Sequence, residues 1–386
     1  MMRRFALTGA AVFDGDSLRD GVAVLLNGVR IEAVLPEDQL ARDVPRMTLD
    51  GGTLCPGFVD LQVNGGGGVL FNDGPDVATL ARMAQAHAGL GATTILPTLI
   101  TDTPDKTAAA IDAVAGALAQ NMPGIGGLHL EGPHLALTRK GAHDPARIRP
   151  MQPDDLALLL DAARRLPVLI VTLAPESVTD AQIAALAQAG VVVSLGHSDC
   201  SFDQAQTAFA AGAQMVTHLF NAMSPLGHRA PGLVGAALTA KGVASGVIAD
   251  LVHVQAASLQ VALAADAARG GLFLVSDAMA PAGSDMTTFT LTGQQVLRAQ
   301  GTLRLADGTL AGADLDLARA LRNLLALGVP LVQALTMATR RPAQAAGLTG
   351  AGTLHAGCAA DILHLNDRLE LQAVWQRGRV IPLSPR

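Results

Sequence analysis

Between about residues 55 and 345 the chain alternates short apolar runs with helix-like stretches, and this alternation restricts the fold more than any other feature. Eight runs read as buried strands: 57–63, 92–99, 126–132, 168–176, 191–197, 214–220, 245–252 and 272–277. Apolar runs of this length, bounded by turn residues, are what strands covered on both faces require. The intervening stretches include DVATLARMAQAHAGLG, TDAQIAALAQAG and SFDQAQTAFAAG. Several open on Thr, Ser or Asp, as helix N-caps do, and close on Gly. Eight strands interleaved with helices predict a closed parallel (β/α)8 barrel.

The flanks read differently. Residues 1–54 hold short alternating segments such as GVAVLLNGVRIEAVLP, broken by Gly, Asp and Pro, and the stretch after 345 returns to short strands. The expected arrangement is a barrel over 55–345 and a small β-sandwich domain built from 1–54 and 346–386.

Composition excludes several classes of function. A chain of 386 residues, half of them hydrophobic, can bury a large core. A net charge of −6 with no basic run argues against nucleic acid as a partner. No apolar run reaches the roughly 20 residues of a membrane span. Cys55, Cys200 and Cys358 are odd in number and far apart, which fits a reducing cytoplasm better than a disulfide framework. The apolar stretch after MMRR is short, and FALTGAAVFDG reads as a strand and turn rather than as a leader.

The chemistry lies at the strand ends, where barrels of this kind carry their active sites. Glu131 in HLEGPH, His197 in GHS and His218 in THLFNAM end the third, fifth and sixth strands. Those ends ring one mouth, so the three side chains can share an ion despite their distance in sequence. Three ligands and an open fourth position form the catalytic pattern of a metal site, because the open position holds a water whose pKa the metal lowers toward 7. Asp277, in LVSDAMAPAG, ends the eighth strand. It reads as a helix N-cap or as a carboxylate that takes a proton from that water and returns it to a leaving amine; three ligand candidates around the same mouth favour the second.

The other histidines divide. His129 shares a strand face with Glu131 and reads as a ligand or, preferably, a core-facing support. His143 lies in a polar loop after the third strand, where it can polarise a carbonyl or simply be solvated, and His253 follows the seventh strand toward the mouth. His134 falls in a loop, and His87, His355 and His364 read as structural. Arg229, in SPLGHRAPG, suits a bidentate contact to phosphate or carboxylate, against the plainer reading of a surface Arg.

Taken together, PGFVDLQVNGGGG, HLEGPH, GHS, THLFNAM, LVSDAMAPAG and the late GTLHAGCAADILHL resemble the N-acetylglucosamine-6-phosphate deacetylases of the amidohydrolase superfamily, in the same order and over nearly the whole chain. The resemblance implies a (β/α)8 barrel with a small β-sandwich, metal ligands at Glu131, His197 and His218, and a catalytic acid/base at Asp277. It implies substrate contacts at Ala142, His143, Asn221, Ala222, Arg229, His253 and the turn Leu310, Ala311 and Gly312. In that family the Arg of this loop reaches the sugar phosphate across a dimer interface, which implies a homodimer here. The implied reaction is hydrolysis of the 2-acetamido group of a sugar phosphate.

Many amidohydrolases carry His-x-His at the end of the first strand and bind two metals; here Gln62 and Asn64 stand there. Amides are poor ligands beside imidazole, so one divalent metal per chain is expected, zinc first, with Fe(II), Co(II) and Mn(II) as competitors. Two departures bear on the substrate. The family's Asp-Gly-x-His is Asp250-Leu251-Val252-His253, and Asp314 adds a negative charge near a site meant for an anion. A Leu in place of Gly is expected to tilt His253 or narrow the sugar pocket. Alternatives are a related amidohydrolase on another amide, such as an N-acyl amino acid or N-acetylgalactosamine 6-phosphate, and an inactive scaffold on the same fold; the retained ligands and Asp277 speak against the last.

Overall fold

The computed structural model describes residues 4–267 and 269–385. Its centre is an eight-stranded parallel sheet whose strands follow chain order: β1 (Phe58–Val63), β2 (Ala92–Ile100), β3 (Leu128–Glu131), β4 (Leu169–Leu173), β5 (Val192–Leu195), β6 (Met215–Val216), β7 (Ala244–Val247) and β8 (Leu272–Leu274). The circle closes just past β8, where Val63 bridges Ala278 in parallel and Asn64 N–H donates to the Ala278 carbonyl at 2.8 Å. Asp60 reinforces the seam by accepting the Ser276 N–H at 3.2 Å. All eight expected strands are present.

The helices start where their caps say they should. Asp76 accepts from Thr79 N–H ahead of Val77–Gly89, and Thr103 caps Pro104–Ala119, with the Pro in the first turn. Thr179 with Gln182 and Ser201 with Gln204 form reciprocal capping boxes that satisfy two otherwise orphaned donors each. Gly212 ends Phe202–Ala211 at φ 119°, a conformation that favours glycine.

Six strands are shorter at their C-termini than the sequence suggests. The apolar run continues, but the backbone leaves the ladder before the functional residue: His197, His218 and Asp277 all have positive φ, at 48°, 30° and 50°. For non-glycine residues this conformation costs on the order of 1 kcal/mol each and is tolerated where the surroundings over-determine it. The turn-out carries each side chain toward the mouth.

Both termini supply two further sheets. One pairs Arg30–Pro36, Val22–Asn27, Arg4–Thr8 and Arg46–Thr48; the other runs through Arg379–Ile381, Leu371–Gln376, Ile362–Leu365, Thr53–Pro56, Ala11–Phe13 and Leu18–Arg19. Leu7, Val24, Leu26, Leu54, Ile362 and Trp375 form a core of their own between them. A three-stranded antiparallel sheet, Thr288–Leu291, Gln294–Ala299 and Thr302–Leu305, follows β8 and packs Phe289, Leu291 and Val296 against Ile100 and Met279. Sequence reasoning passed over it, although its Thr-Gly-Gln and Gln-Gly-Thr turns between alternating residues are hairpin signals.

Candidate active site

Glu131 ends β3 and meets both histidines that the sequence singled out. Its Oε1 lies 3.1 Å from His197 Nε2 and 3.0 Å from His218 Nε2, and the two nitrogens are 3.1 Å apart. All three residues are buried. His197 Nδ1–H donates to the Arg139 carbonyl at 2.8 Å, which leaves its Nε2 lone pair turned toward Glu131. Donors bound to one tetrahedral ion at ~2.0–2.1 Å lie roughly 3.3–3.4 Å apart, so the trio fits a divalent cation with little movement. The local field agrees. Burial alone would lower His218, but the hydrogen bond and charge of Glu131 outweigh it and raise its pKa. Burial likewise opposes ionising Glu131, yet hydrogen bonds from His197 and His218 hold it well below the usual carboxylate range.

His143 is a further candidate in the same place. Ligand atoms of Glu131, His143 and His197 lie within 4.8 Å of one another. His218 is the closer third donor, and His143 Nδ1 is already 2.8 Å from Thr101 Oγ1, so the Glu131–His197–His218 set is preferred. The His143 ring stands edge-on to His197 at 4.4 Å between centroids. Burial, with His197 adding to it, pushes His143 down to about 3, so the ring is neutral at ordinary pH.

Asp277 sits opposite. Asn64 Nδ2 donates to its Oδ1 at 2.7 Å, and Gln62 Nε2 lies 3.2 Å from Asp277 Oδ1 and 3.3 Å from Glu131 Oε2. The two amides thus turn their N–H groups to the carboxylates at the place where His-x-His would hold a second metal. Burial and then the neighbouring Glu131 charge raise Asp277 to about 6. His253 Nδ1 is 2.6 Å from Asp250 Oδ2, and Asp250 also accepts the backbone N–H groups of Val252 and His253.

These groups line a cavity of about 270 Å³ that also takes in Ala142, Asn221, Ala222, Leu310 and Gly312. Other expected residues fall elsewhere. Ala311 is buried in the small core beneath the three-stranded sheet, so only its neighbours in the turn reach the cavity. Arg229 is exposed and does not line the cavity, and neither Lys nor Arg does among the described residues. Ile100, Ile248, Met279 and Leu291 complete an apolar wall that sequence reasoning missed. Ile100 and Ile248 had a signal, since Ile100 ends β2 and Ile248 directly follows β7.

Both departures resolve without disturbing the site. Leu251 keeps a positive φ of 66°, so the backbone path expected of Gly is retained under strain; His253 stays on Asp250, and Leu251 does not line the cavity. Asp314 is paired with Arg298 at 2.9 Å, which neutralises its charge. His129 is a support: its Nδ1–H donates to the Leu61 carbonyl at 3.0 Å and its Nε2 lies 2.7 Å from Thr172 Oγ1. His87 and His364 each bond a backbone carbonyl.

Known proteins resemble this chain over most of its length. Residues 53–381 match the Amidohydrolase family and residues 4–54 the NagA composite domain. An N-acetylgalactosamine-6-phosphate deacetylase of Shewanella sp. is 44% identical over 88% of this chain and 86% of its own length. An N-acetylglucosamine-6-phosphate deacetylase of Haemophilus influenzae is 34% identical over 89% and 90%. The crystal structure of N-acetylglucosamine-6-phosphate deacetylase from Pasteurella multocida superposes with a TM-score of 0.94 at 32% identity, covering 98% of this chain and 100% of that one. This chain belongs to the amidohydrolase family, among the N-acetylhexosamine-6-phosphate deacetylases.

Proposed function

We propose that this chain hydrolyses the acetamido group of N-acetyl-D-glucosamine 6-phosphate, giving glucosamine 6-phosphate and acetate. The observation that carries the reading is the convergence of Glu131, His197 and His218 within 3.1 Å, beside Asp277 in one cavity. Glu131, His197 and His218 would hold one divalent cation, zinc first on donor type, which when bound supplies Lewis-acid activation of water and carbonyl. With Gln62 and Asn64 donating to carboxylates, a second tightly held metal is not expected.

The rest follows from the chain's own groups. Water attacks the acetyl carbonyl, and Asp277, oriented by Asn64 and Gln62, accepts the water's proton. A carboxylate raised to about 6 is a better base near neutral pH than an ordinary one. His143 donates to the developing oxyanion, an effect commonly worth roughly 3–4 kcal/mol per well-placed donor. Asp277 returns the proton to the departing nitrogen, the C–N bond breaks, and amine and acetate leave. His253, held by Asp250, is placed for a sugar hydroxyl.

Among the described residues no Lys or Arg lines the cavity to meet the phosphate, and Arg229 is exposed on its loop. We place Arg229 of a second copy at the phosphate, which makes the working unit a homodimer. Three unpaired cysteines fit a cytoplasmic enzyme.

A second reading, N-acetylgalactosamine 6-phosphate, is favoured by the 44% identity to a relative of that name. Acetate release from the two phosphorylated epimers and from free N-acetylglucosamine, by zinc-loaded protein, decides. Fast release from the gluco-phosphate alone supports the first reading, and preference for the galacto-phosphate moves the assignment to the second. Arg229→Ala is expected to raise KM at least tenfold for the phosphorylated sugar and little for the free one; equal effects would remove Arg229 from the phosphate.

A further inference from the structure

Behind part of the apolar wall of the catalytic cavity lies a second cavity, of about 620 Å³, whose lining includes Asn72, Thr101, Met286 and Phe289. The two cavities share two lining residues, Ile100 and Leu291. Ile100 ends β2 and pairs in the parallel ladder with Glu131 of β3, so it stands beside the candidate metal ligands. Leu291 comes from the other side, at the end of the first strand of the three-stranded sheet. Both are buried, in one apolar cluster with Met279 and Phe289. Asn72 fixes the Ile100 backbone: its Nδ2 donates to the Ile100 carbonyl at 3.0 Å, and its Oδ1 accepts the Ile100 N–H at 3.1 Å. Met279 and Ala142 line the catalytic cavity without reaching the second one.

The shape of an amide decides what meets this partition. A secondary amide is planar and trans, so in a bound N-acylhexosamine the acyl chain and the sugar ring leave the C–N bond in opposite directions. Asn221, Ala222 and His253, the groups given to the sugar, follow β6 and β7, and β2 stands across the ring of strands from β6. With the carbonyl between the Glu131, His197 and His218 set and Asp277, the acyl methyl is directed toward Ile100 and Leu291. We propose that Ile100 and Leu291 set the acyl-chain limit of this enzyme: they admit a methyl group and keep longer N-acyl chains out of the space directly behind them. The inference deepens the reading of the chain as an N-acylhexosamine-phosphate hydrolase and rests on it.

The test assays zinc-loaded protein on the N-acetyl, N-propionyl and N-butyryl forms of the hexosamine 6-phosphate, in the epimer series that the wild type prefers. One methylene in an apolar pocket is commonly worth roughly 10–200-fold in kcat/KM, so the wild type is expected to favour acetyl over butyryl by about a hundredfold or more. Ile100→Ala and Leu291→Ala are each expected to cut that preference about tenfold or more, by gaining on butyryl and losing on acetyl, and the double variant further. Ile248→Ala widens the same cavity on the β7 side, away from the second one, and is expected to leave the preference within about threefold. The preference is a ratio within one protein, so partial loss of folded enzyme cancels. Ile100→Val, which removes a single methylene, is expected to move the propionyl-to-acetyl ratio about threefold and serves if the Ala variants do not fold. A wild type that took butyryl as fast as acetyl, an unchanged preference in the Ile100 and Leu291 variants, or an equal change in Ile248→Ala would each overturn the proposal. A wild type that released acetate from neither phosphorylated epimer would overturn the functional reading, and the acyl-chain limit with it.

Discussion

His129 and Glu131 lie two residues apart on β3 and face the same way, yet they belong to unlike regions. Below the mouth, polar groups satisfy one another in a single direction. His129 Nδ1–H must donate to the Leu61 carbonyl, so its Nε2 accepts from Thr172, Thr172 accepts from Thr217 at 2.6 Å, and Thr217 accepts from Ser194 at 2.6 Å. Burial lowers His129 to about 4 and keeps it neutral. One layer up, Glu131, His197 and His218 have mainly each other, and His218 Nδ1 is buried with no partner among the described residues. The comparison teaches that a buried histidine is not in itself a signal. What distinguishes function is a cluster whose charges and donors are completed only by something from outside the chain.

Four experiments can break that contrast. Chelation should abolish activity, zinc should restore it, and elemental analysis should give about one metal per chain; two per chain, both needed, would contradict the roles given to Gln62 and Asn64. Asp277→Asn should lower kcat by roughly three orders of magnitude or more with metal retained, judged by steady-state rates beside metal content; a near-normal rate would take Asp277 out of the reaction. The rate should also fall on acidification. Asp277 works as a base when ionised, its folded-state value is about 6, and so below that pH kcat/KM should drop about tenfold per unit. A bound cation favours the carboxylate and would move this limb lower, so an acid limb well above 6 would point to a different group. In the lower layer Thr217→Val should cost about 1–3 kcal/mol of stability in denaturant titration while kcat stays within about threefold. A collapse of rate without loss of stability would merge the two layers.

The strand count, the order of elements and the helix caps were legible because they rest on local periodicity and on single side chains near their own backbone. The four central site residues were legible for a related reason: in a parallel barrel every strand's C-terminus points to the same mouth. Other features needed coordinates. The positive φ of His197, His218 and Asp277 carries no mark in a sequence, since nothing local demands it. Leu251 looked like a disturbance of the sugar pocket, but the backbone holds its path at φ 66°. Asp314 looked like unwanted charge until Arg298, sixteen residues earlier in the chain, proved to face it.

By itself the sequence determined that there is a barrel, where its mouth lies, and which acid and imidazole groups stand at that mouth, because patterning and strand polarity are local properties. Only the tertiary structure decided which of those groups touch. It set His197 on the Arg139 carbonyl, His143 on Thr101 and Asp277 on Asn64, and it left Arg229 outside the cavity. Those choices depend on where separate strands and loops meet in space. Hydrogen bonds reach only about 3 Å, so a partner is settled by the packed backbone and not by the order of residues along the chain.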